Sequence, residues 1–181
     1  STVTFTAAGL PRVDLLMNPT GTMADRLTHL DETGRVHMVD VSAKDVTKRL
    51  ATVRGEILMA PETVRLVVAN QMAKGNVLET ARIAAIQAAK HTADLIPLCH
   101  QLNLTAVDVD FTVGTDRIEV RTQARVADRT GVEMEALTAA TVALLTIYDM
   151  CKAVDRGMMI NQVCLQEKSG GRSGHYRRDE E

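Results

Sequence analysis

The chain has 181 residues, 45% of them hydrophobic, which suffices for one substantial core. Its 21 Lys and Arg nearly cancel 23 Asp and Glu, leaving a formal charge of -2 that excludes a nucleic-acid coat or electrostatic attachment to an anionic membrane. Two Phe, two Tyr and no Trp also exclude a base-stacking platform for single strands.

Residues 1–34, with Gly9, Pro11, Pro19 and Gly21, have no regular apolar period and read as an extended or partly disordered arm. Arg35–Val41 reads as a first strand and Arg54–Met59 as a second. Pro61 opens a helix at its first turn, where its missing N–H costs nothing, and that helix runs toward Met72 until Gly75 stops it. Asn76 caps the next helix, Val77–Lys90, whose apolar face is rich in small residues. Thr92–Asn103 is irregular and holds Pro97, Cys99 and His100. Val107–Val113 and Ile118–Val126 alternate apolar and polar residues around Gly114-Thr115-Asp116, the pattern of an antiparallel hairpin. Gly131–Val154 predicts a long helix, almost wholly apolar from Ala136 to Ile147 and therefore buried on most faces. Met159–Glu167 reads as a last strand, followed by a Gly-rich basic tail. This order predicts an α+β fold with helices packed on one face of an antiparallel sheet, and a ferredoxin-like βαββαβ core accommodates it.

Cys99, Cys151 and Cys164 form no CxxC pair and make a poor disulfide framework. No apolar stretch is expected to approach the roughly 20 residues that span a bilayer, and no signal peptide is evident. The expectation is a cytoplasmic protein without membrane or nucleic-acid partners.

Four constellations could carry chemistry. Asp149 and Lys152 stand three apart at the end of the apolar helix. Their plainest reading is an exposed ion pair; the sharper one is a semi-buried Asp that holds and tunes a Lys for proton transfer. Cys99-His100 suggests a metal pair or a nucleophile–base pair, but neighbours on an extended segment point to opposite sides, and a buried Cys beside a hydrogen-bonding His is the default. Glu133-Met134-Glu135 opens the long helix, where the helix dipole favours acids; its two carboxylates project in different directions. Cations stand at Lys74 before Gly75, at Arg82 and Lys90 on the following helix, and at Lys168 and Arg172 around Gly170-Gly171; the two glycine settings suit a phosphate, a solvated tail is the default for the last, and no P-loop is present.

Met38–Lys44, Ala81–Lys90, Asp94–His100, Gly131–Thr138, Thr146–Ala153 and Lys168-Ser-Gly-Gly together resemble the molybdenum-cofactor biosynthesis protein C (MoaC) family, with the motifs in order from about His29 to the tail. The resemblance implies a ferredoxin-like catalytic domain over residues 31–167, between an arm at 1–30 and a tail at 168–181. It also implies cyclic pyranopterin monophosphate synthase activity: a lyase of molybdenum cofactor biosynthesis that converts (8S)-3',8-cyclo-7,8-dihydroguanosine 5'-triphosphate, the product of a radical-SAM enzyme, to the cyclic phosphate and diphosphate. A homohexamer, a trimer of dimers with sites at subunit interfaces, is implied too. Carried over by motif, Asp149 and Lys152 would be catalytic, and Lys74, Cys99, His100, Glu133, Met134, Glu135 and Lys168 would line the substrate site, with Lys90 and Arg82 nearby. No metal ligand and no required cofactor follow, and whether Mg²⁺ accompanies the triphosphate stays open. Gln101 stands where the family usually has Pro, Asn76 where it has Asp, and the N-terminal arm is longer than the resemblance covers. The alternative is a non-catalytic nucleotide-binding oligomer that has kept the fold; a metal-dependent hydrolase is a third reading.

Overall fold

The computed structural model describes residue 35 and residues 38–172 and 174–179. Contacts divide the chain into residues 1–36 and 37–181, and every element below lies in the second unit. The arm expected over residues 1–30 lies outside the described residues.

In chain order the elements are β1 (Thr47–Leu58), α1 (Pro61–Val68), α2 (Val77–Lys90), the single turn α3 (Thr92–Leu95), β2 (Ala106–Val113), β3 (Arg117–Asp128), α4 (Glu133–Cys151), β4 (Met159–Ser169) and β5 (Tyr176–Arg177). One antiparallel sheet has the order β2-β3-β1-β4-β5. Its first four strands with α2 and α4 form the expected ferredoxin-like βαββαβ unit, and β5 adds an edge strand.

The first two strands differ from expectation. No strand forms among the described residues of Arg35–Val41, and a single 12-residue β1 replaces the segment read from Arg54. β1 is central, paired with β3 on one side and β4 on the other, with Ala51, Val53 and Ile57 on one face and Thr52, Arg54 and Glu56 on the other. Ala51, Val53 and Ile57 enter the core on one face, while Thr52 and Glu56 are buried on the other. Those two polar groups are satisfied: Gln123 donates to the Thr52 hydroxyl and Arg117 to the Glu56 carboxylate.

α2 and α4 lie side by side on the sheet, α4 over β1, β3 and β4, and α2 over β2. Their meeting faces are small: Ala81, Ala85 and Ala89 on α2, and Ala136, Ala139, Ala140 and Ala143 on α4, all buried. α4 comes so close to β1 that a Cβ at Gly55 would stand 2.9 Å from Leu144 Cδ1 and 3.0 Å from Val163 Cγ2. α4 is, contrary to the sequence expectation, long and apolar enough to cross a membrane by length and composition. Here its apolar side is the centre of the core, with Leu144 and Ile147 fully buried.

α1 ends at Val68, short of Met72. Asn70 takes a left-handed conformation (φ 53°), its N–H donates to Val67 O, and Gln71 N–H donates to Leu66 O, a Schellman stop. Asn76 caps α2 as expected, its side chain accepting from Glu79 N–H at 3.1 Å. The hairpin also forms as expected, Gly114 N–H donating to Arg117 O. β4 continues to Ser169, so Lys168 sits in the sheet, paired with Ala51 and with Tyr176.

Candidate active site

The candidate residues gather at the two ends of α4. At its C-terminus, Lys152 closes the helix as C-cap, a position where the helix dipole favours a cation. Its ammonium lies 2.8 Å from Asp149 Oδ1. The Schellman stop after α1 turns the chain toward Lys74, which lies 2.6 Å from Asp149 Oδ2 and also donates to the Asp149 main-chain oxygen at 2.9 Å. That second bond satisfies one of the last four helix carbonyls, which have no partner within the helix. One carboxylate therefore holds two ammonium groups from separate elements. The hydrogen bond from Lys152, then the one from Lys74, pulls the Asp149 carboxyl down to about 2.

The semi-burial proposed for Asp149 is absent within one chain: its side chain is 55% exposed, with Lys74 at 47% and Lys152 at 52%. The simple i,i+3 pair is also incomplete as a description, because Lys74 is the third member. Cys151 beside it is buried, and its thiol is pushed up to about 11 by desolvation and then by the charge of Asp155; it is no nucleophile at neutral pH.

The second group surrounds the N-terminus of α4. Glu133 pairs with Lys168 of β4 at 3.4 Å. Glu135 points the other way, as the two-residue spacing predicts, and is 4% exposed. Burial, reinforced by the Glu133 charge, raises its carboxyl to about 7, so it exchanges a proton near neutrality. Met134 between them is half-buried. Cys99 arrives from the segment after α3; its thiol is raised by burial and then by the Glu135 charge, and stays protonated. His100, next to Cys99 in sequence, donates its Nε2–H to Val39 O at 2.9 Å. Among the described residues, no group of three or more His, Cys, Asp or Glu could hold a metal ion.

A cavity of about 410 Å³ adjoins this end of α4, lined by Lys44, Arg49, Arg129 and Arg172 together with Gly131 and Gly171. Arg49 donates to the carbonyls of Asp128 and Arg129, and Arg129 to that of Lys44, so this basic wall is braced against the turn that starts α4. Arg49 and Arg129 escaped the sequence reading. The first lies between the two segments read as strands, and the second carries no motif; the tertiary pairing of β1 with β3 brings them together.

Two candidates are less central. Lys90 is exposed at the end of α2. Arg82 is committed to the neighbouring strand: it pairs with Glu79, donates to Val109 O and stacks over Phe111 at 5.4 Å.

Within one chain the two groups are far apart. Asp149 follows Glu133 by 16 helical positions, a rise of about 24 Å.

A sequence model of the MoaC family matches residues 38–171, which include every residue of both groups. A curated relative, the cyclic pyranopterin monophosphate synthase of Desulforapulum autotrophicum, is 58% identical over 154 residues, covering 84% of this chain and 94% of the relative. The chain belongs to the MoaC family.

Proposed function

We propose that this chain is a cyclic pyranopterin monophosphate synthase, a lyase of molybdenum cofactor biosynthesis. It converts (8S)-3',8-cyclo-7,8-dihydroguanosine 5'-triphosphate into cyclic pyranopterin monophosphate and diphosphate. Family membership and the named relative support this reaction. The observation that carries the residue assignment is the single Asp149 carboxylate held between Lys74 and Lys152.

The reaction rebuilds a ring system and expels diphosphate, so it needs proton donors and acceptors in one place and cations where charge develops. Lys152 and Lys74 supply the donors and the cations, and Asp149 fixes their ammonium groups against each other. Glu135, titrating near 7, is the group suited both to give and to take a proton at the operating pH. Lys168 and His100, with Lys44, Arg49 and Arg172 of the basic cavity, suit the triphosphate.

The roughly 24 Å between the ends of α4 exceeds what one substrate bridges at reacting distance. The functional unit is therefore an oligomer in which the C-terminal end of α4 from one copy faces the N-terminal end from another. Trimers of dimers satisfy this with every site at an interface. Such an interface also desolvates Asp149 and Lys152, which a single chain leaves half exposed. A radical-SAM enzyme supplies the cyclised triphosphate, and the reaction takes place in the cytoplasm.

Incubation with the cyclised triphosphate, followed by product analysis and diphosphate quantitation, tests the reading. Wild type is expected to form both products, and Lys152→Ala to lose turnover by about 10²–10⁴-fold while keeping its oligomeric state. Near-wild-type turnover in Lys152→Ala refutes the role; binding without conversion by wild type returns the non-catalytic alternative.

A further inference from the structure

The turn after α4 carries Asp155, a carboxylate that the proposed chemistry does not use. Its Oδ2 accepts from the Ala60 N–H at 2.8 Å and from the Thr63 hydroxyl at 3.2 Å, and its Oδ1 accepts from the Gly157 N–H at 3.0 Å. Ala60 is the N-cap of α1 and has no side chain able to cap, so Asp155 caps that helix from 95 residues away in sequence. Thr63 is 3% exposed, and the bond it makes is part-buried. The Asp155 N–H donates to Cys151 O, so the carboxylate is tied tightly to the last turn of α4.

These bonds complete a closed circuit. Asp155 joins the end of α4 to the start of α1. α1 runs to its Schellman stop, the following loop delivers Lys74, and Lys74 returns to α4 through Asp149. Lys152, three residues before Asp155, lies inside that circuit. An aspartate beyond a helix C-terminus is disfavoured by that helix's own dipole; here the N-terminus of α1 offsets it, which makes the docking of the two helix ends specific.

We propose that Asp155 is a positioning residue: by capping α1 it fixes the relative placement of Lys74 and Lys152 on the Asp149 carboxylate. The role rests on the reading of that cluster as catalytic, but its geometric content is separate and is measured separately.

The experiment compares wild type, Asp155→Ala, Asp155→Asn and Thr63→Val by steady-state kinetics normalised to folded protein, with a carboxyl NMR titration of Asp149 in each. Asp155→Ala is expected to lower kcat by about 10–100-fold with KM changed less than about threefold, because reacting groups are misplaced rather than removed. Its Asp149 should titrate higher than in wild type, since one or both ammonium groups no longer sit on it. Asp155→Asn keeps an acceptor for Ala60 and Thr63 and should restore most of kcat and the low Asp149 titration. Thr63→Val removes one bond at nearly constant volume and should shift both readouts in the same direction, less far; it carries the test if Asp155→Ala fails to fold. Unchanged kcat per folded molecule together with an unchanged Asp149 titration overturns the proposal. If wild type fails to convert the cyclised triphosphate, the functional reading falls, and the Asp149 titration alone then decides the positioning role: an upward move supports it and no move overturns it.

Discussion

Replacing Glu135 by Gln should change how stability depends on pH, and the sign follows from its surroundings. Burial, then the nearby Glu133 charge, raises the Glu135 carboxyl from an ordinary 4.5 to about 7 in the folded chain. Between those values the native state binds more protons at this site than the unfolded state, so stability falls as pH rises. The contribution is intact below 4.5, declines from there to about 7, and is fully lost above. At about 1.4 kcal/mol for each tenfold change in proton affinity, the upper bound is about 3 kcal/mol; allowing for solvent screening near the helix end leaves about 2 kcal/mol. Gln is neutral throughout and resembles protonated Glu in shape, so Glu135→Gln should match wild type near pH 4 and exceed it by about 2 kcal/mol near pH 8. Urea unfolding followed by far-UV circular dichroism, at one fixed protein concentration, measures the difference directly. A wild-type-minus-variant difference that stays constant across this range refutes the assignment of a buried, proton-binding Glu135. Other titrating groups cancel in that difference.

Lys74→Met removes one of the two ammonium groups on Asp149, whose carboxyl should then titrate roughly halfway back toward its ordinary range in a carboxyl NMR titration. Retention of the wild-type value in that variant means Lys152 alone sets it. Because the Asp149 carboxyl is depressed from 3.8 to about 2, the stabilisation from its ion pairs is present above 3.8 and lost as pH falls through about 2; acid unfolding of Asp149→Asn should lack that component. Gly55→Ala drives a methyl against Leu144 and Val163 and should cost about 1–3 kcal/mol, read as a lower thermal midpoint. No loss of stability would mean that α4 and β1 separate more easily than their packing implies.

Local chemistry wrote some elements clearly and others hardly at all. Asn76 and the Val77–Lys90 periodicity defined α2 to the residue, and the alternation around Gly114 placed the β2–β3 hairpin within a residue or two at each end. The later part of β1 was read as a strand from Arg54, but its first half was not: Thr47, Lys48, Arg49 and Thr52 make that half polar, and only its pairing with β3 and β4, with Gln123 donating to Thr52, shows it as a strand. The end of α1 was obscured for another reason: the stop is Asn70 in a left-handed turn, while Gly75, the stronger breaker, lies farther on. Within the candidate site, Asp149 and Lys152 were readable as neighbours on one helix. Lys74 joins them across 75 residues, a contact that only the packing of the α1–α2 connection against α4 creates. The separation of Glu133 and Glu135 followed from helical spacing, but that Glu135 is the buried one of the two shows only in the folded chain. Arg82 shows the converse: its segment resembles the family motif, while its guanidinium is spent on Val109 and Phe111.

The central claim is that each site joins the C-terminal end of α4 from one copy to the N-terminal end from another. Mixing two variants, each expected to be inactive on its own, tests it most directly. Lys152→Ala disables one end and Lys168→Ala the other; the two are dissociated, combined in equal amounts and reassembled, and diphosphate release from the cyclised triphosphate is measured. With random exchange between copies, about a quarter of the interfaces unite two intact ends, so activity should return to about a quarter of wild type. A mixture that exchanges subunits yet stays as inactive as either variant alone contradicts the claim.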